Sequence, residues 1–362
     1  LLAVENKLKD LIKCSLIAPE PLLVQGDCQI FYPNSIMVIQ GQSGVHKSRV
    51  AENICASFLV NSIQTSHLGF LRNQEEPIHV LYADTERNLS YQLPAAIQKI
   101  CNLAGFYIQS GHPRPESFHF TSLIEIERQD RFHALESFIR HKRNEIPGHL
   151  VVVLDVLTDC VLDFNRPDGS LQLIDMMNRM INNSDCSFLC VIHENPGSEK
   201  ARGHLGTEII NKASTVLQVG FVKQNGIVTD IVELKFIKTR NTKKPESLFA
   251  KYSDEVHTLV LVDDDSLVDI KNMSSKQSVI VETCENLEIL FQEKTLYTNK
   301  EITERLMEML HAKPEAIRKR LGDVINRKWI LAIGSNQYFL DKSAGKKHVE
   351  YFIVPMVSEL PG

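Results

Sequence analysis

A phosphate-binding loop is the first feature of this sequence that could do chemistry. Residues 41–48 follow the spacing GxxxxGK[ST], except that His46 stands at the second fixed glycine. In such a loop, small residues let successive backbone N–H groups curl around phosphate oxygens at a helix N-terminus. The motif's lysine binds the terminal phosphates and its hydroxyl binds Mg²⁺, and here these side chains are Lys47 and Ser48. The predicted binding residues are Gly41, Gln42, Ser43, Gly44, Val45, His46, Lys47, Ser48 and Arg49.

The sequence on either side of this loop has the pattern that the motif requires. Residues 36–39 form a short apolar run, and residues 50–58 have helical spacing, so the predicted order is strand, loop, helix. Three consequences of His46 stay open: it crowds the loop, it lowers nucleotide affinity, or it marks a relic that no longer hydrolyses ATP. The alternative to a ligand site is a polar turn between a strand and a helix.

Carboxylates that follow predicted strands are the second chemical feature. Asp155 comes directly after the apolar residues 150–154, which is the Walker B pattern for an acid that holds Mg²⁺ beside phosphates. Asp84 and Glu86 follow another strand, where a carboxylate could orient and deprotonate an attacking water. We expect Glu86 to be this base, although the sequence barely separates it from Asp84. Acids that only cap turns are the alternative.

The elements that must position these residues alternate between strands and helices. The continuously apolar runs span residues 36–39, 79–83, 150–154 and 188–192. The helical patterns between them include residues 91–101, 132–143 and 171–182. Such alternation predicts an α/β fold with a mostly parallel, twisted sheet, whose strand ends converge on one crevice. Two later segments, 227–236 and 258–262, are predicted to be antiparallel strands that close the sheet edge.

The chain is long enough for two domains. We predict a nucleotide-binding domain over residues 1–264, a linker over 265–275 that is polar after an acidic run, and a small domain over 276–362. The small domain has predicted helices at 279–291, 299–310 and 314–327, a hairpin at 330–340 and a last strand at 351–354. Three helices and a β-wing indicate a winged-helix domain.

The third helix of this small domain would be a DNA-recognition helix. Its exposed cations are Arg318, Lys319, Arg320, Arg327 and Lys328. In the major groove, such cations contact phosphates, and the wing near Ser335 and Asn336 would flank them. A winged helix also serves as a protein-docking module, and a basic helix is often only a solvated face.

The order of the motifs resembles the RepA-like branch of the RecA/DnaB superfamily of ring helicases. The order runs from the phosphate loop to the acid-ended strand, the Walker B run and then residues 190–195, over about the first 260 residues. This resemblance implies a RecA-like ATPase that uses ATP and Mg²⁺. It also implies a ring, expected to be a hexamer, that translocates on single-stranded DNA during replication or mobilisation of a plasmid or mobile element.

The resemblance also implies roles for residues after the Walker B strand. His193 stands where the family has a polar sensor of the γ-phosphate, and residues 197–207 resemble the loop that lines the DNA channel. Residues 238–241 resemble the family's KxRN element, in which Arg240 would be an arginine finger and Lys238 its companion. Such cations neutralise charge on the neighbouring subunit's transferring phosphoryl group. For residues 238–241 the alternative is a solvated basic hairpin, and for residues 197–207 it is a mobile surface loop.

Composition narrows the class of protein without naming a function. Hydrophobic residues make up 43% and charged residues 23% of the chain, which is typical of a globular protein. The net charge of −5 gives no overall attraction to DNA, so any contact needs a local basic patch. The eight cysteines are scattered without close pairs, and no segment has the pattern of a secretory signal or a membrane span. We expect a cytoplasmic protein with free thiols.

Three hypotheses share these motifs. The first is an ATP-driven motor on DNA, in which Lys47, Ser48, Asp155 and Glu86 carry hydrolysis. The second is a nucleotide-dependent DNA-binding regulator with little or no turnover. The third is a scaffold that kept the fold and lost the chemistry, against which the intact motif side chains count. A kinase with a phosphate loop is a further option that the KxRN element and the winged helix disfavour.

Overall fold

The described part of the chain falls into two compact units. The computed structural model describes residues 1–75, 78–107, 111, 114–224, 227–262, 279, 282–294, 297–326, 330–333 and 337–340. The first unit comprises Leu1–Val222 and Val228–Val262, and the second comprises Lys223–Ile227 and the chain after residue 262. The predicted linker at 265–275 lies outside the described residues. Within them, no helix is both long and apolar enough to cross a membrane.

The first unit contains six α-helices, one 3₁₀ helix (Leu157–Cys160) and twelve strands within its described residues. The helices are α1 (Leu2–Leu11), α2 (Lys47–Leu59), α3 (Gln92–Leu103), α4 (Arg131–Glu145), α5 (Pro167–Asn183) and α6 (Gly203–Lys212). The first strands are β1 (Leu23–Gln25), β2 (Cys28–Phe31), β3 (Ile36–Gly41), β4 (Leu71–Arg72), β5 (His79–Asp84) and β6 (Phe118–Ser122). The later strands are β7 (Leu150–Asp155), β8 (Cys186–His193), β9 (Thr215–Gln224), β10 (Ile227–Thr239), β11 (Leu248–Ser253) and β12 (Thr258–Leu261).

The main sheet has the strand order β12-β11-β10-β9-β3-β8-β7-β5-β6, and a small sheet pairs β2, β1 and β4. Strands β9, β3, β8, β7, β5 and β6 run parallel, whereas β10, β11 and β12 pair antiparallel. Strand β3, which precedes the phosphate loop, lies between β9 and β8. The predicted α/β class and mostly parallel sheet are therefore confirmed. The ends of the predicted helices α3, α4 and α5 differ from the observed ends by one to four residues.

The central strands are buried on both faces. Every residue of β3 and of β7 is buried. Met37 and Val153 contribute to the core on one face of the sheet, and Val38 and Val152 to the core on the other face. Because side chains alternate across a strand, a continuously apolar run is what a strand covered by helices on both sides requires.

The register of these parallel strands aligns their carboxyl ends. Gly41 at the end of β3 is the register partner of His193 at the end of β8. Asp84 at the end of β5 is the register partner of Asp155 at the end of β7. The fold therefore brings the phosphate loop and the predicted catalytic acids to one edge of the sheet.

The second unit combines helices with a small antiparallel sheet in its described residues. Its described elements are α7 (282–293), β13 (Tyr297–Thr298), α8 (Asn299–Leu310), α9 (Pro314–Asn326), β14 (Ile330–Ile333) and β15 (Gln337–Leu340). The strands pair antiparallel in the order β13-β15-β14. Leu290, Ile302, Leu306 and Ile317 form part of its core. The predicted wing tip, the cations Arg327 and Lys328, and the strand at 351–354 lie outside the described residues.

Three polar side chains connect the amino ends of β7 and β8, at the edge of the main sheet opposite the phosphate loop. The ring nitrogens of His149 lie 3.0 Å from Asp185 Oδ1 and 2.9 Å from Ser187 Oγ. This is the residue set of a serine-hydrolase triad, but Ser187 is completely buried and its hydroxyl donates to the Tyr32 carbonyl. The cluster therefore stabilises the sheet, because a substrate cannot reach the hydroxyl.

Replacing His149 tests this structural role. In His149→Ala the buried Ser187 hydroxyl loses a partner, so we expect the free energy of unfolding to fall by about 1–3 kcal/mol. Urea denaturation followed by circular dichroism measures this loss. His133→Ala, at an exposed position of α4, is the control. An equal unfolding midpoint in the two variants would show that the cluster contributes nothing to stability.

Candidate nucleotide-binding site

The phosphate loop connects β3 to α2 with the backbone geometry that its motif needs. A side chain at Gly41 would place its Cβ 2.2 Å from the Val219 carbonyl oxygen, so only glycine fits beside β9. Gly44 has a φ of +81°, in the left-handed region that glycine adopts readily. Among the described residues, no side chain caps the N-terminus of α2. Its first backbone N–H groups and its dipole therefore favour an anion.

His46 keeps a left-handed backbone at the position where the motif has glycine. Its φ is +68° and its ψ is +22°. The imidazole stacks on Tyr252 of β11, with centroids 5.8 Å apart, and meets the ring edge of Phe221 of β9 at 5.6 Å. Nη1 of Arg49 lies 3.1 Å from Nδ1 of His46. Packing against two strands thus holds a conformation that is otherwise unfavourable for a residue with a Cβ.

Ser48 of the phosphate loop and Asp155 at the end of the Walker B run are in direct contact. Ser48 Oγ donates to Asp155 Oδ1 at 2.9 Å, and Lys47 Nζ donates to the Gln42 carbonyl at 2.6 Å. Lys47 and Asp155 are both buried. Burial lowers the pKa of Lys47, and the carboxylates of Asp155, Glu86 and Glu194 oppose this change. The loop therefore presents a buried cation beside a buried anion.

The oxygens of Ser48 and Asp155 have the chemistry of a magnesium site. The described residues contain no group of three or more His, Cys, Asp or Glu that could hold a metal ion. Mg²⁺ beside phosphates needs no such cage, because one or two protein oxygens suffice when phosphate oxygens and waters supply the rest. Ser48 and Asp155 fit that requirement.

Asp155 belongs to a buried ionic network that the sequence did not reveal. Its Oδ2 accepts from the Tyr82 hydroxyl at 2.6 Å and from Arg87 Nη1 at 3.1 Å. Arg87 also pairs with Asp84 at 2.7 Å and with Glu52 at 2.8 Å. Burial raises the pKa of both Glu52 and Asp84. One guanidinium therefore holds three buried carboxylates.

The two acids after β5 have different surroundings. Asp84 is buried, and its Oδ1 accepts from the backbone N–H groups of Glu86 and Arg87, so it caps the turn. The side chain of Glu86 is 49% exposed, and its Oε1 lies 3.6 Å from Nε2 of His193. The neighbouring imidazole of His193 lowers the pKa of Glu86, which keeps this carboxylate ionised. Glu86 is therefore the acid that water can reach.

A second group that the sequence missed is a carboxylate held by glutamine amides. Glu194 is buried, and it accepts from Gln40 at 2.8 Å, from Gln218 at 2.7 Å and from Gln42 at 3.3 Å. Gln42 belongs to the phosphate loop, and Glu194 follows directly after β8. This cluster ties the phosphate loop to the segment that leaves β8.

Gln42 also contacts the segment predicted to line a DNA channel. Its Nε2 lies 2.8 Å from the Asn195 carbonyl and 2.7 Å from the Ser198 carbonyl. The predicted loop 197–207 is shorter than expected, because α6 already begins at Gly203. The irregular part therefore ends at residue 202, and its start is bonded to the phosphate loop.

The structure does not bring Lys238 and Arg240 to the chain's own phosphate loop. The backbone N–H of Arg240 bonds to the Ser214 carbonyl, next to the first residue of β9 and thus at the opposite edge of the sheet. Lys238 Nζ donates to the Ile210 carbonyl at 2.5 Å, and Arg240 Nη2 donates to the Asn211 carbonyl at 2.5 Å. Both cations therefore lie at the carboxyl end of α6, where its dipole favours them.

The predicted DNA-recognition helix corresponds to α9 (Pro314–Asn326). Arg318 and Lys319 are exposed. Arg320 is partly buried and pairs with Glu282 at 3.1 Å. Among the described cations of α9, two therefore point to solvent and one is engaged within its own unit.

Comparisons with known proteins do not identify a family. No protein-family model matches the chain, and no curated protein matches it. Among solved structures, the flagellar accessory protein FlaH from Methanocaldococcus jannaschii aligns with a TM-score of 0.41 and 12% identity, over 66% of this chain and 93% of that chain. A likeness this low assigns neither a function nor a partner to this chain.

Proposed function

We propose that this chain is a P-loop ATPase that binds ATP with Mg²⁺ and hydrolyses it. The observation that carries the proposal is the hydrogen bond from Ser48 to Asp155, two residues 107 positions apart in sequence. A turn between a strand and a helix needs no buried carboxylate opposite its serine. The contact is what Mg²⁺ binding requires, because it supplies two oxygens beside a lysine and a free helix N-terminus.

The residues of the loop would hold the phosphates in place. The backbone around Gly44 and the start of α2 would bind phosphate oxygens, and Lys47 would leave the Gln42 carbonyl to contact the terminal phosphates. Ser48 and Asp155 would hold Mg²⁺, which supplies charge neutralisation when bound. Tyr82 and Arg87 fix the second oxygen of Asp155, so the first faces Ser48.

Glu86 is the proposed general base. The oxygen of a water attacks the γ-phosphorus and its proton passes to the Glu86 carboxylate, while the bond from phosphorus to the bridging β–γ oxygen breaks. Asp84 cannot take this role, because the turn and Arg87 occupy both of its oxygens. His193 would orient Glu86 and, as the resemblance implies, sense the γ-phosphate.

The finer part of the proposal is a RepA-like ring that acts on DNA. Because Lys238 and Arg240 lie at the edge opposite their own phosphate loop, a finger role requires the nucleotide of a neighbouring subunit. DNA contact would involve residues 197–202, where the Ser198 carbonyl accepts from Gln42, and the exposed cations of a winged-helix domain. A DNA-binding regulator with little hydrolysis is the alternative, and the observation that favours it is the histidine at the motif's second fixed glycine.

Two substitutions separate binding from hydrolysis. Lys47→Ala is expected to lose ATP binding, because the Lys47 ammonium is the cation proposed to bind the terminal phosphates. Glu86→Gln is expected to bind ATP and to lower turnover about 10²- to 10⁴-fold, since an amide cannot accept the proton. Calorimetry measures binding, and phosphate release with and without single-stranded DNA measures turnover.

Glu125→Gln, at an exposed position, is the matched control and should retain turnover. Wild-type protein that binds ATP without releasing phosphate would favour the regulator. Wild-type protein that binds no ATP would contradict both the ATPase and the regulator. Only the hypothesis of a scaffold that has lost the chemistry would then remain.

Mixing two inactive variants tests the finger in trans. Arg240→Ala is expected to lower turnover by roughly 10³-fold or more if the guanidinium stabilises transferring phosphate. A mixture with Glu86→Gln should regain activity, because a Glu86→Gln subunit offers an intact Arg240 to a neighbour whose Glu86 is intact. Lys47→Ala mixed with Glu86→Gln is the control, since both changes damage the same half of the site. Equal activity in the two mixtures would rule out a finger in trans.

A further inference from the structure

An aromatic and cationic cluster lies next to the phosphate loop, on the side away from the catalytic acids. It consists of His46 and Arg49 from the loop and α2, Phe221 from β9 and Tyr252 from β11, and we refer to it as the ring cluster. His46 stacks on Tyr252 with an angle of 11° between the rings, and Cζ of Arg49 lies 4.5 Å from the centre of the Tyr252 ring. All four side chains are partly exposed.

The ring cluster is placed where the rest of a nucleotide must go. Terminal phosphates at Lys47 and Ser48 leave the remainder of the ligand to run along the first turn of α2. On one side of this turn, Ser48 faces Asp155. The other buried carboxylates and Glu86 lie on that same side. His46 and Arg49, three positions apart, face the other side, toward β9 and β11.

The chemistry of the ring cluster suits a flat heterocycle. Nucleobases stack on aromatic rings and on the planar guanidinium of arginine. Nε of Arg49 is buried without a hydrogen-bond partner among the described residues. The His46 ring lies nearly parallel to the Tyr252 ring and therefore adds stacking surface beside it.

We propose that the ring cluster binds the nucleobase of the nucleoside triphosphate and that His46 contributes its ring to this base site. The inference rests on the proposed nucleotide binding at Lys47 and Ser48. The proposal gives a function to the histidine that replaces the motif's glycine. His46 adopts the left-handed backbone that glycine would adopt, and its ring adds to the stacking surface of Tyr252. The competing explanation is that the rings only brace His46 in its left-handed conformation.

Binding of ATP and of inorganic tripolyphosphate, each with Mg²⁺, separates the two explanations. Tripolyphosphate has the phosphate chain but neither sugar nor base, so it reports on the phosphate loop alone. Tyr252→Ala and His46→Gly should each weaken ATP about tenfold, the factor of a stacking contact, and leave tripolyphosphate unchanged. Glycine at position 46 tolerates the left-handed backbone, so this variant removes the ring without straining the loop. Calorimetry measures both affinities.

Tyr252→Phe should retain ATP affinity, because the ring remains. Tyr91→Ala, where the native side chain is 74% exposed, is the matched control. Equal weakening of ATP and tripolyphosphate would show that the cluster only braces the loop and would overturn the base site. Unchanged ATP binding in both test variants would overturn it too. Wild-type protein that binds neither ligand would overturn the proposed function as well.

Discussion

The buried carboxylate of Asp155 is the interaction on which the rest of the site depends. Asp155 is 2% exposed, and a carboxylate withdrawn from water is costly unless charge and hydrogen bonds compensate. Ser48, Tyr82 and Arg87 supply that compensation from α2, β5 and the turn after β5. Two segments that are distant in sequence from β7, namely α2 and the strand and turn that carry Tyr82 and Arg87, must therefore meet at its end before the charge is tolerated. The same contacts orient the carboxylate toward the phosphate loop.

Part of this site follows from local sequence. The phosphate loop and the acid after residues 150–154 are recognisable because their chemistry needs neighbouring residues in a fixed spacing. The buried strands are recognisable because a run covered on both faces must be continuously apolar. Strands such as β6, with the sequence FHFTS, and the two-residue β13 lack that pattern and were missed.

Other features depend on partners that only the fold brings together. From the sequence alone Arg87 resembles a surface cation, whereas the structure pairs it with Glu52, Asp84 and Asp155. The sequence barely separated Glu86 from Asp84, because the choice depends on which carboxylate accepts the backbone hydrogen bonds of the turn. It also could not place Arg240, because the antiparallel direction of β10 carries that residue to the far edge of the sheet.

The side chain of Gln42 connects two parts of the molecule that the sequence treats as separate motifs. Its amide lies within hydrogen-bond distance of Glu194 and of the carbonyls at 195 and 198, although it has only two hydrogens to donate. A shift of the phosphate loop must therefore redistribute bonds within the segment that follows β8. Thermodynamic linkage makes this relation symmetric. Any partner that immobilises residues 195–198 changes the affinity of the phosphate loop for its ligand, by the same factor by which that ligand changes the affinity for the partner.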